Sequence, residues 1–391
     1  MNIAIFAGAL NEHQDGVTRV LHRHIRFYKR LGYRMYFFTP SYNEGNKLEN
    51  VTKISSIPFP LYSDYKLSLP LKRKITRELE KLSPDLVFIH SPCTLGLIAT
   101  KVAEELKIPA VAEYHTHFPT YLTYYKISFL ERYVWRYMRY LYSKCEIVFV
   151  PSKSVEKNLN ENGISNTVFI PHGVDTDVFN PKFFNAKLKT KLGIEGKKIV
   201  LFVGRIVKEK NLDILVQAVE LMAKREDFVL VVAGGGPYLK YYQSRTKRAL
   251  FLGHLNTKEL AQVYASSDIF VFPSVTETFG NVILEAMASG LPPVVANSFG
   301  ASELISNFEN GILVAPNSAK DLAKGIELLL DDDALRGKIA TNALKLAQSF
   351  SWENILKIYN SYLINSQRKE KLNLVNTSIN VNPIPIKEQS Y

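Results

Sequence analysis

Short apolar runs alternate with segments of helical period along most of the chain, and few folds accommodate that order. Apolar runs of strand length fall at 2–7, 34–39, 85–90, 110–114, 146–150 and 167–170, with helical stretches at 17–31, 70–82, 94–106, 128–143 and 152–161. Strands separated by helices pair in parallel, because each crossover returns the chain to the end it left. Around Pro171-His172-Gly173-Val174-Asp175 the rhythm breaks, and 181–197 is polar and Lys-rich. A second series opens with Lys198-Ile199-Val200-Leu201-Phe202-Val203-Gly204. Its further strands are predicted at 227–233, 249–252, 268–272, 293–296 and 312–314, and its helices at 210–224, 256–265, 280–289 and 318–330. The pattern predicts an α/β protein of two doubly wound, Rossmann-like parallel-sheet domains, 1–175 and 198–348, joined by a linker at 176–197. Loops at the strand C-terminal ends are expected to carry function and to face a shared cleft. Helical period continues over about 333–348 and from Trp352 to Leu363, whereas 366–391, with Pro383 and Pro385, lacks it and is expected to be disordered.

With 391 residues, 46% hydrophobic and 22% charged, the chain has the material for two such cores, and extensive disorder is excluded. Cys93 and Cys145 are too few for a disulfide scaffold and suit a reducing, cytosolic compartment. No run of roughly 18 or more apolar residues is present, so no membrane span is expected. Met1–Phe6 has no basic lead and is soon followed by Glu12 and Asp15, so it reads as a first strand rather than a signal peptide. The formal charge of +12 is shared evenly by residues 1–180 and the remainder, so neither half is a nucleic-acid arm by charge alone.

Locally the charge is organised. Arg19, Arg23, Arg26 and Arg30 fall on one face of a helix, opposite Val17, Val20, Leu21, His24, Phe27 and Leu31, and no acid occurs between residues 16 and 43. A solvated polar face explains such a stripe, and so does a surface for anionic lipid headgroups or phosphates. From Tyr121 to Lys144 the chain holds Tyr121, Tyr124, Tyr125, Phe129, Tyr133, Trp135, Tyr137, Tyr140 and Tyr142 among Lys126, Arg132, Arg136, Arg139 and Lys144. Rings with an apolar face and a polar edge, beside cations, fit a membrane interface, base stacking, or a Tyr-rich packing helix.

Two segments carry the densest chemistry. In Val203-Gly204-Arg205-Ile206-Val207-Lys208-Glu209-Lys210-Asn211, a strand ends on glycine and presents Arg205 and Lys210 before a helix near Asn211, a plausible diphosphate site. In Pro273 to Met287, a strand leads through a loop to a helix near Gly280; Glu277 precedes that helix and Glu285 lies inside it. The helix start offers N–H groups to an anion and both carboxylates can accept from hydroxyls, so sugar and ribose are natural ligands. Balancing of the helix dipole accounts for Glu277 but not for Glu285. At Glu113-Tyr114-His115-Thr116-His117-Phe118-Pro119, His115 and His117 lie on one side if the strand continues, and an H-x-H metal pair has no accompanying ligand cluster in sequence. Gly234-Gly235-Gly236-Pro237 suits a close turn, not the Gly-x-Gly-x-x-Gly order of dinucleotide binding. Phe251-Leu252-Gly253-His254 ends a strand and could flank a base, while Asn256 and Thr257 suit a helix cap.

Glu277 and Glu285, with seven residues between them, resemble the E-x7-E motif of the family-4 retaining glycosyltransferases, within a block, 277–296, similar to that family's most recognisable stretch. Gly204-Arg205 with Lys210-Asn211, the PHGVD of 171–175 and the SFSWENI of 349–355 match in order and spacing, so the resemblance runs from residue 1 to about 363. It implies a GT-B architecture, with a donor nucleotide sugar held mainly by the second domain and a final helix, 349–365, crossing back to an acceptor-side first domain. It further implies that Arg205 and Lys210 neutralise the donor diphosphate, that Glu285 binds ribose, and that Glu277 binds the donor sugar near Gly204, Phe279, Gly280 and Asn281. Of the glycine loop in the first domain only Gly16 matches, since Asp15 stands where a paired glycine is usual. His115 is implied to reach the sugar near the anomeric centre.

The resulting expectation is transfer of a hexose from a UDP-glucose or GDP-mannose type of donor, with retention, no metal and no separate cofactor. Asp331-Asp332-Asp333 lies between helices and is no rival divalent-ion site. The EYHTHFPTY stretch looks most like the glycolipid-forming branch, which implies a lipid acceptor such as diacylglycerol or a glycolipid. The enzyme is then expected at the inner face of a membrane, docked through Arg19, Arg23, Arg26, Arg30, Arg132, Arg136 and Arg139. A transferase with a soluble sugar or polysaccharide acceptor, a nucleotide-sugar epimerase and a nucleic-acid-binding protein are the alternatives. The paired carboxylates count against the last, because a nucleic-acid groove has no need of them.

Overall fold

Ile3, Ala4, Ile5 and Phe6 are apolar at consecutive positions and fully covered, the condition of a central parallel strand with helices on both faces. The computed structural model describes residues 1–368 apart from 13–15, 42–47, 60–61, 118, 120–121 and 123–126. Asp15, Phe118, Tyr121, Tyr124, Tyr125, Lys126 and the tail from 369 lie outside the described residues.

The chain divides into two compact units, Met1–His172 with the helix from Glu353, and Gly173–Trp352. In the first, β1 (Asn2–Phe6), α1 (Gly16–Arg30), β2 (Arg34–Pro40), β3 (Val51–Ile54), β4 (Ser56–Phe59), β5 (Tyr62–Ser68), α2 (Lys72–Leu82) and β6 (Leu86–Ile89) follow in order. Then come α3 (Thr94–Leu106), β7 (Ala110–Glu113), α4 (Glu131–Tyr142), β8 (Ile147–Val150), α5 (Lys153–Glu161) and β9 (Thr167–Phe169). The sheet runs β3-β2-β1-β6-β7-β8-β9, parallel throughout, and β4 and β5 form a separate antiparallel hairpin. Strand order reverses between β1 and β6, so the loops leaving those strands diverge and open a crevice at their C-terminal ends.

The second unit contains α6 (Leu188–Leu192), β10 (Lys198–Val203), α7 (Leu212–Leu221), β11 (Phe228–Ala233), α8 (Leu239–Arg245), β12 (Ala249–Gly253), α9 (Thr257–Ala265) and β13 (Ile269–Phe272). It continues through α10 (Asn281–Ala288), β14 (Pro293–Ala296), β15 (Ile312–Val314), α11 (Ala319–Asp331) and α12 (Asp333–Ser349). Its parallel sheet runs β12-β11-β10-β13-β14-β15, with the reversal between β10 and β13. Those two strands end at Val203 and Phe272, immediately before the two segments richest in chemistry.

The final helix, α13 (Trp352–Arg368), belongs from Glu353 onward to the first unit. Tyr359 lies tilted against Phe149 with ring centres 4.8 Å apart, Tyr33 donates to Asn360 at 2.9 Å, and Arg30 pairs with Glu353 at 2.5 Å. The chain leaves the second unit where it entered: Val174 N donates to Phe350 O at 2.7 Å, and a Cβ on Gly173 would stand 2.8 Å from the Trp352 backbone.

Three differences from the sequence expectation have physical reasons. Residues 176–197 are not a free linker: Phe179, Leu188 and Ile194 are buried in the second core, while Lys182, Lys187, Lys191 and Lys197 face outward and Lys189 pairs with Asp268 at 3.0 Å. The strands β3, β4 and β5 lie at a sheet edge or outside it, so they lack the continuous apolar run by which buried strands are found. The short α8 buries Tyr242 alone, too little for a periodic stripe.

Candidate active site

The reversal between β10 and β13 brings two loops together. Lys210, in a short 3-10 turn after β10, forms an ion pair with Glu277, from the loop after β13. Its ammonium also stands 5.6 Å from the centre of the Phe272 ring, so a strand-end aromatic fixes the lysine from a second side. Ser274 Oγ lies 3.2 Å from both the Glu209 carbonyl and Glu277 Oε1, bridging the two loops. Arg205 Nη2 is 3.7 Å from Glu209 Oε1, which is itself buried. Asn211 takes a left-handed conformation and donates to Pro273 O at 3.3 Å and Asn317 Oδ1 at 2.8 Å, adding a third loop to the frame. Two cations and a hydroxyl-accepting carboxylate therefore stand side by side at the sheet edge where α10 begins.

Glu285 lies one turn into α10, 8% exposed, and Tyr264 Oη donates to its Oε2 at 3.1 Å. Gly280 caps the helix with φ +87°, and a Cβ there would stand 2.9 Å from Ile283 and 3.1 Å from Ala301. Phe279 is buried against Phe350, and Asn281 opens the helix. Gly204 N donates to Ala233 O, and a Cβ on Gly234 would meet the Gly204 carbonyl at 2.0 Å. The triple glycine therefore serves close packing of the β10 and β11 loops. His254 packs against Gly235, where a Cβ would stand 2.3 Å from its Nε2. Asn256 forms a full capping box with Glu259.

In the first unit β7 ends at Glu113, so the H-x-H pair does not lie on a continuing strand and its rings separate. His117 Nε2 lies 2.9 Å from Asn158 Oδ1. His115 stacks on His90, with Nε2 2.9 Å from His90 Nδ1 and 3.4 Å from Glu113 Oε2. Glu113 is 1% exposed and also receives Tyr359 Oη at 3.0 Å. Burial by itself raises its carboxyl, but the neighbouring His115, His24 and His90 outweigh burial and hold it well below the usual range. Burial pushes His24 down to about 3 and lowers His90, in each case against the pull of Glu113. Gly16 opens α1, of the same unit.

The basic stripe of α1 is partly engaged: Arg26 pairs with Glu12 at 2.8 Å and Arg30 with Glu353. Arg19 is exposed and Arg23 half-buried. On α4, Trp135, Met138, Leu141 and Tyr142 are buried, whereas Phe129 is 72% and Tyr133 54% exposed. Arg132 lies over Tyr133 at 4.8 Å, Arg136 is exposed, and Arg139 donates to Asn162 O at 3.1 Å.

Sequence reasoning missed Ser274, Tyr264 and the Glu113 cluster. Ser274 and Tyr264 read as an ordinary loop serine and a core aromatic. Apart from His115, the Glu113 partners His24, His90 and Tyr359 stand far from it in the chain, so no local spacing marks them.

Residues 14–178 match the family model described as Glycosyltransferase Family 4, and 184–346 that described as Glycosyl transferases group 1. The chain is 34% identical over 307 residues to sulfoquinovosyl transferase SQD2 of Arabidopsis thaliana, covering 76% of this chain and 60% of that one. Against the GDP-mannose-dependent alpha-mannosyltransferase of Corynebacterium glutamicum it is 30% identical over 379 residues, covering 94% and 91%. It is 29% identical over 330 residues to the alpha-monoglucosyldiacylglycerol synthase of Streptococcus pneumoniae, covering 80% and 75%. Among solved structures, Anabaena HepE in complex with UDP has a TM-score of 0.77 at 22% identity, covering 93% of this chain and 100% of that one, a likeness of fold. With its E-x7-E block and 30% identity carried along 91% of a relative's length, the chain belongs to glycosyltransferase family 4, a hexosyltransferase of GT-B fold in the branch that includes glycolipid-forming enzymes.

Proposed function

We propose that this enzyme moves a hexose, with retention, from a UDP-glucose or GDP-mannose type of donor to a membrane lipid such as diacylglycerol or a glycolipid. The observation that carries the donor half is the cluster of Arg205, Lys210 and Glu277 at the β10–β13 reversal, with Glu285 one turn into α10. In the reaction the bond from the anomeric carbon to the β-phosphate oxygen breaks, and both its electrons leave with the nucleoside diphosphate. An acceptor hydroxyl oxygen bonds to that carbon, and its proton passes to a phosphate oxygen. Negative charge grows on the departing phosphate, where two fixed cations and a helix start stabilise it. Glu277 accepts hydrogen bonds from sugar hydroxyls and Glu285 from ribose. His115, fixed by His90 and Glu113, is assigned to the transferred sugar through the family resemblance, and Gly16 to the phosphates.

The name of the alpha-monoglucosyldiacylglycerol synthase supports the lipid half, together with the exposed Phe129 and Tyr133 beside Arg132 and Arg136. Among the described residues no helix is long and apolar enough to cross a membrane, so the contact proposed is peripheral. Product formation from UDP-glucose and GDP-mannose on diacylglycerol-containing anionic vesicles tests both halves. Lys210→Ala and Glu277→Ala should each lower kcat/KM by about a hundredfold or more while preserving the fold. Full activity in either variant refutes the donor site, and activity confined to soluble sugars refutes the lipid acceptor.

A further inference from the structure

At the C-terminal ends of β6 and β7, opposite the middle of α1, three ligand-type side chains turn toward one another in the core of the first unit. His24 is 0%, His90 2% and Glu113 1% exposed. Glu113 Oε2 lies 3.0 Å from His90 Nε2 and 3.8 Å from His24 Nε2, and the three atoms are all within 4.8 Å of one another. Each of the three lacks a hydrogen bond, because even the 3.0 Å approach is off the line an N–H···O bond requires. Buried polar atoms are seldom left so, and three converging on one point call for a shared partner.

The far side of each group is occupied. His24 Nδ1 lies 3.3 Å from Tyr28 Oη, His90 Nδ1 lies 2.9 Å from His115 Nε2, and Glu113 Oε1 receives Tyr359 Oη at 3.0 Å. With a proton on each Nδ1, both Nε2 lone pairs and the carboxylate oxygen face inward. This is the outer-shell pattern of metal sites, in which the atom not bound to metal is oriented by a hydrogen bond. We infer that His24, His90 and Glu113 bind one divalent transition metal ion, of which zinc best suits two imidazoles and a carboxylate, as a structural clip joining α1 to the ends of β6 and β7. Ligand atoms around a tetrahedral zinc stand roughly 3.3 Å apart for bonds of about 2.0–2.1 Å, so small side-chain rotations complete the set, with water in the remaining position. Burial disfavours charge on both imidazoles and so leaves them in the neutral form that ligates. The inference departs from the metal-free expectation only for structure, since the donor phosphates remain assigned to Arg205 and Lys210.

The full chain, stripped with chelator and titrated with Zn2+ against a chromogenic chelator, should bind one ion per chain, and Co2+ in its place should give visible d–d bands of a tetrahedral site. His24→Gln and His90→Gln should weaken binding by about a hundredfold or more. His117→Gln, whose ring lies against Asn158, should leave binding unchanged. If the cluster variants fail to fold, zinc-edge X-ray absorption of the wild-type protein decides instead, with two imidazoles and one carboxylate oxygen expected. Substoichiometric uptake by the wild-type chain, unweakened binding in a folded His24→Gln, or a ligand set without imidazole overturns the inference. Each readout is independent of sugar transfer, so it stands or falls apart from the proposed function.

Discussion

Replacing Gly300 by alanine perturbs the loop that carries Glu277 while deleting no polar group of the donor cluster. Gly300 has φ +67° and ψ −66°, and Ala301 N donates to Phe299 O at 2.7 Å, which makes a γ-turn centred on the glycine. An L-residue in that conformation costs about 1–3 kcal/mol. The added Cβ would stand 2.3 Å from the Glu277 carbonyl oxygen and 2.5 Å from that of Thr278, both backbone atoms. To restore even a tight contact, the Glu277–Thr278 peptide must retreat by about 0.7 Å, and such overpacking costs about 1–3 kcal/mol more. The sum, about 2–6 kcal/mol, should lower the melting temperature of the second unit by roughly 5–20 °C. A shift of that size at Glu277 should also reduce kcat/KM by about tenfold to a hundredfold at temperatures where the fold is intact. Calorimetry and steady-state kinetics on the same preparation check both. A variant within about 0.5 kcal/mol of wild type and fully active would refute the reasoning that this γ-turn sets the position of Glu277.

Gly337→Ala is the same change with the opposite sign: the residue is exposed inside α12 with nothing near its missing Cβ, so urea unfolding should show a gain of about 0.5–1 kcal/mol. Tyr264→Phe removes a donor from the buried Glu285 and should cost about 1.5–3 kcal/mol in unfolding, with a raised KM for the nucleotide sugar; unchanged stability and KM would disconnect Tyr264 from the ribose assignment. Acid should destabilise the chelator-treated protein. Burial holds His24 at about 3, far below its value of about 6.5 in an unfolded chain, so its contribution is present above pH 6.5 and lost as pH falls toward 3. Between pH 7.5 and 5 that loss is about 2 kcal/mol, readable as a lower urea midpoint, whereas Glu113 adds to the loss only below about pH 4.5. An unshifted midpoint would mean that His24 is not neutral in the fold.

Nearly all central strands were legible in the sequence, and for one reason. A parallel strand covered on both faces must be apolar at every position, so Leu86–Ile89 and Ile269–Phe272 announce themselves without reference to their neighbours. Edge strands carry no such demand, and Val51–Ile54 passed unseen. The donor segments were equally legible, because Arg205 with Lys210, and Glu277 with Glu285, lie within single strand-loop-helix units whose spacing survives in one dimension. The basic stripe of α1 is legible as a face, but the pairing of Arg30 with Glu353, more than 300 positions away, is not.

The amino-acid order alone therefore determined the parallel α/β character, the division into two series of strands and helices, and the loops that carry the E-x7-E and Arg205–Lys210 motifs. Those properties depend on local periodicity and on residues close in the chain. Tertiary structure alone decided that Lys210 meets Glu277, that residues 176–197 pack into the second core, and that His24, His90 and Glu113 turn inward on one point. Such contacts depend on which strands become neighbours in a sheet and on which helix covers them. A single sequence does not display that order, because a histidine bound for a buried cluster and one bound for an ordinary core occupy the same position in a helical stripe.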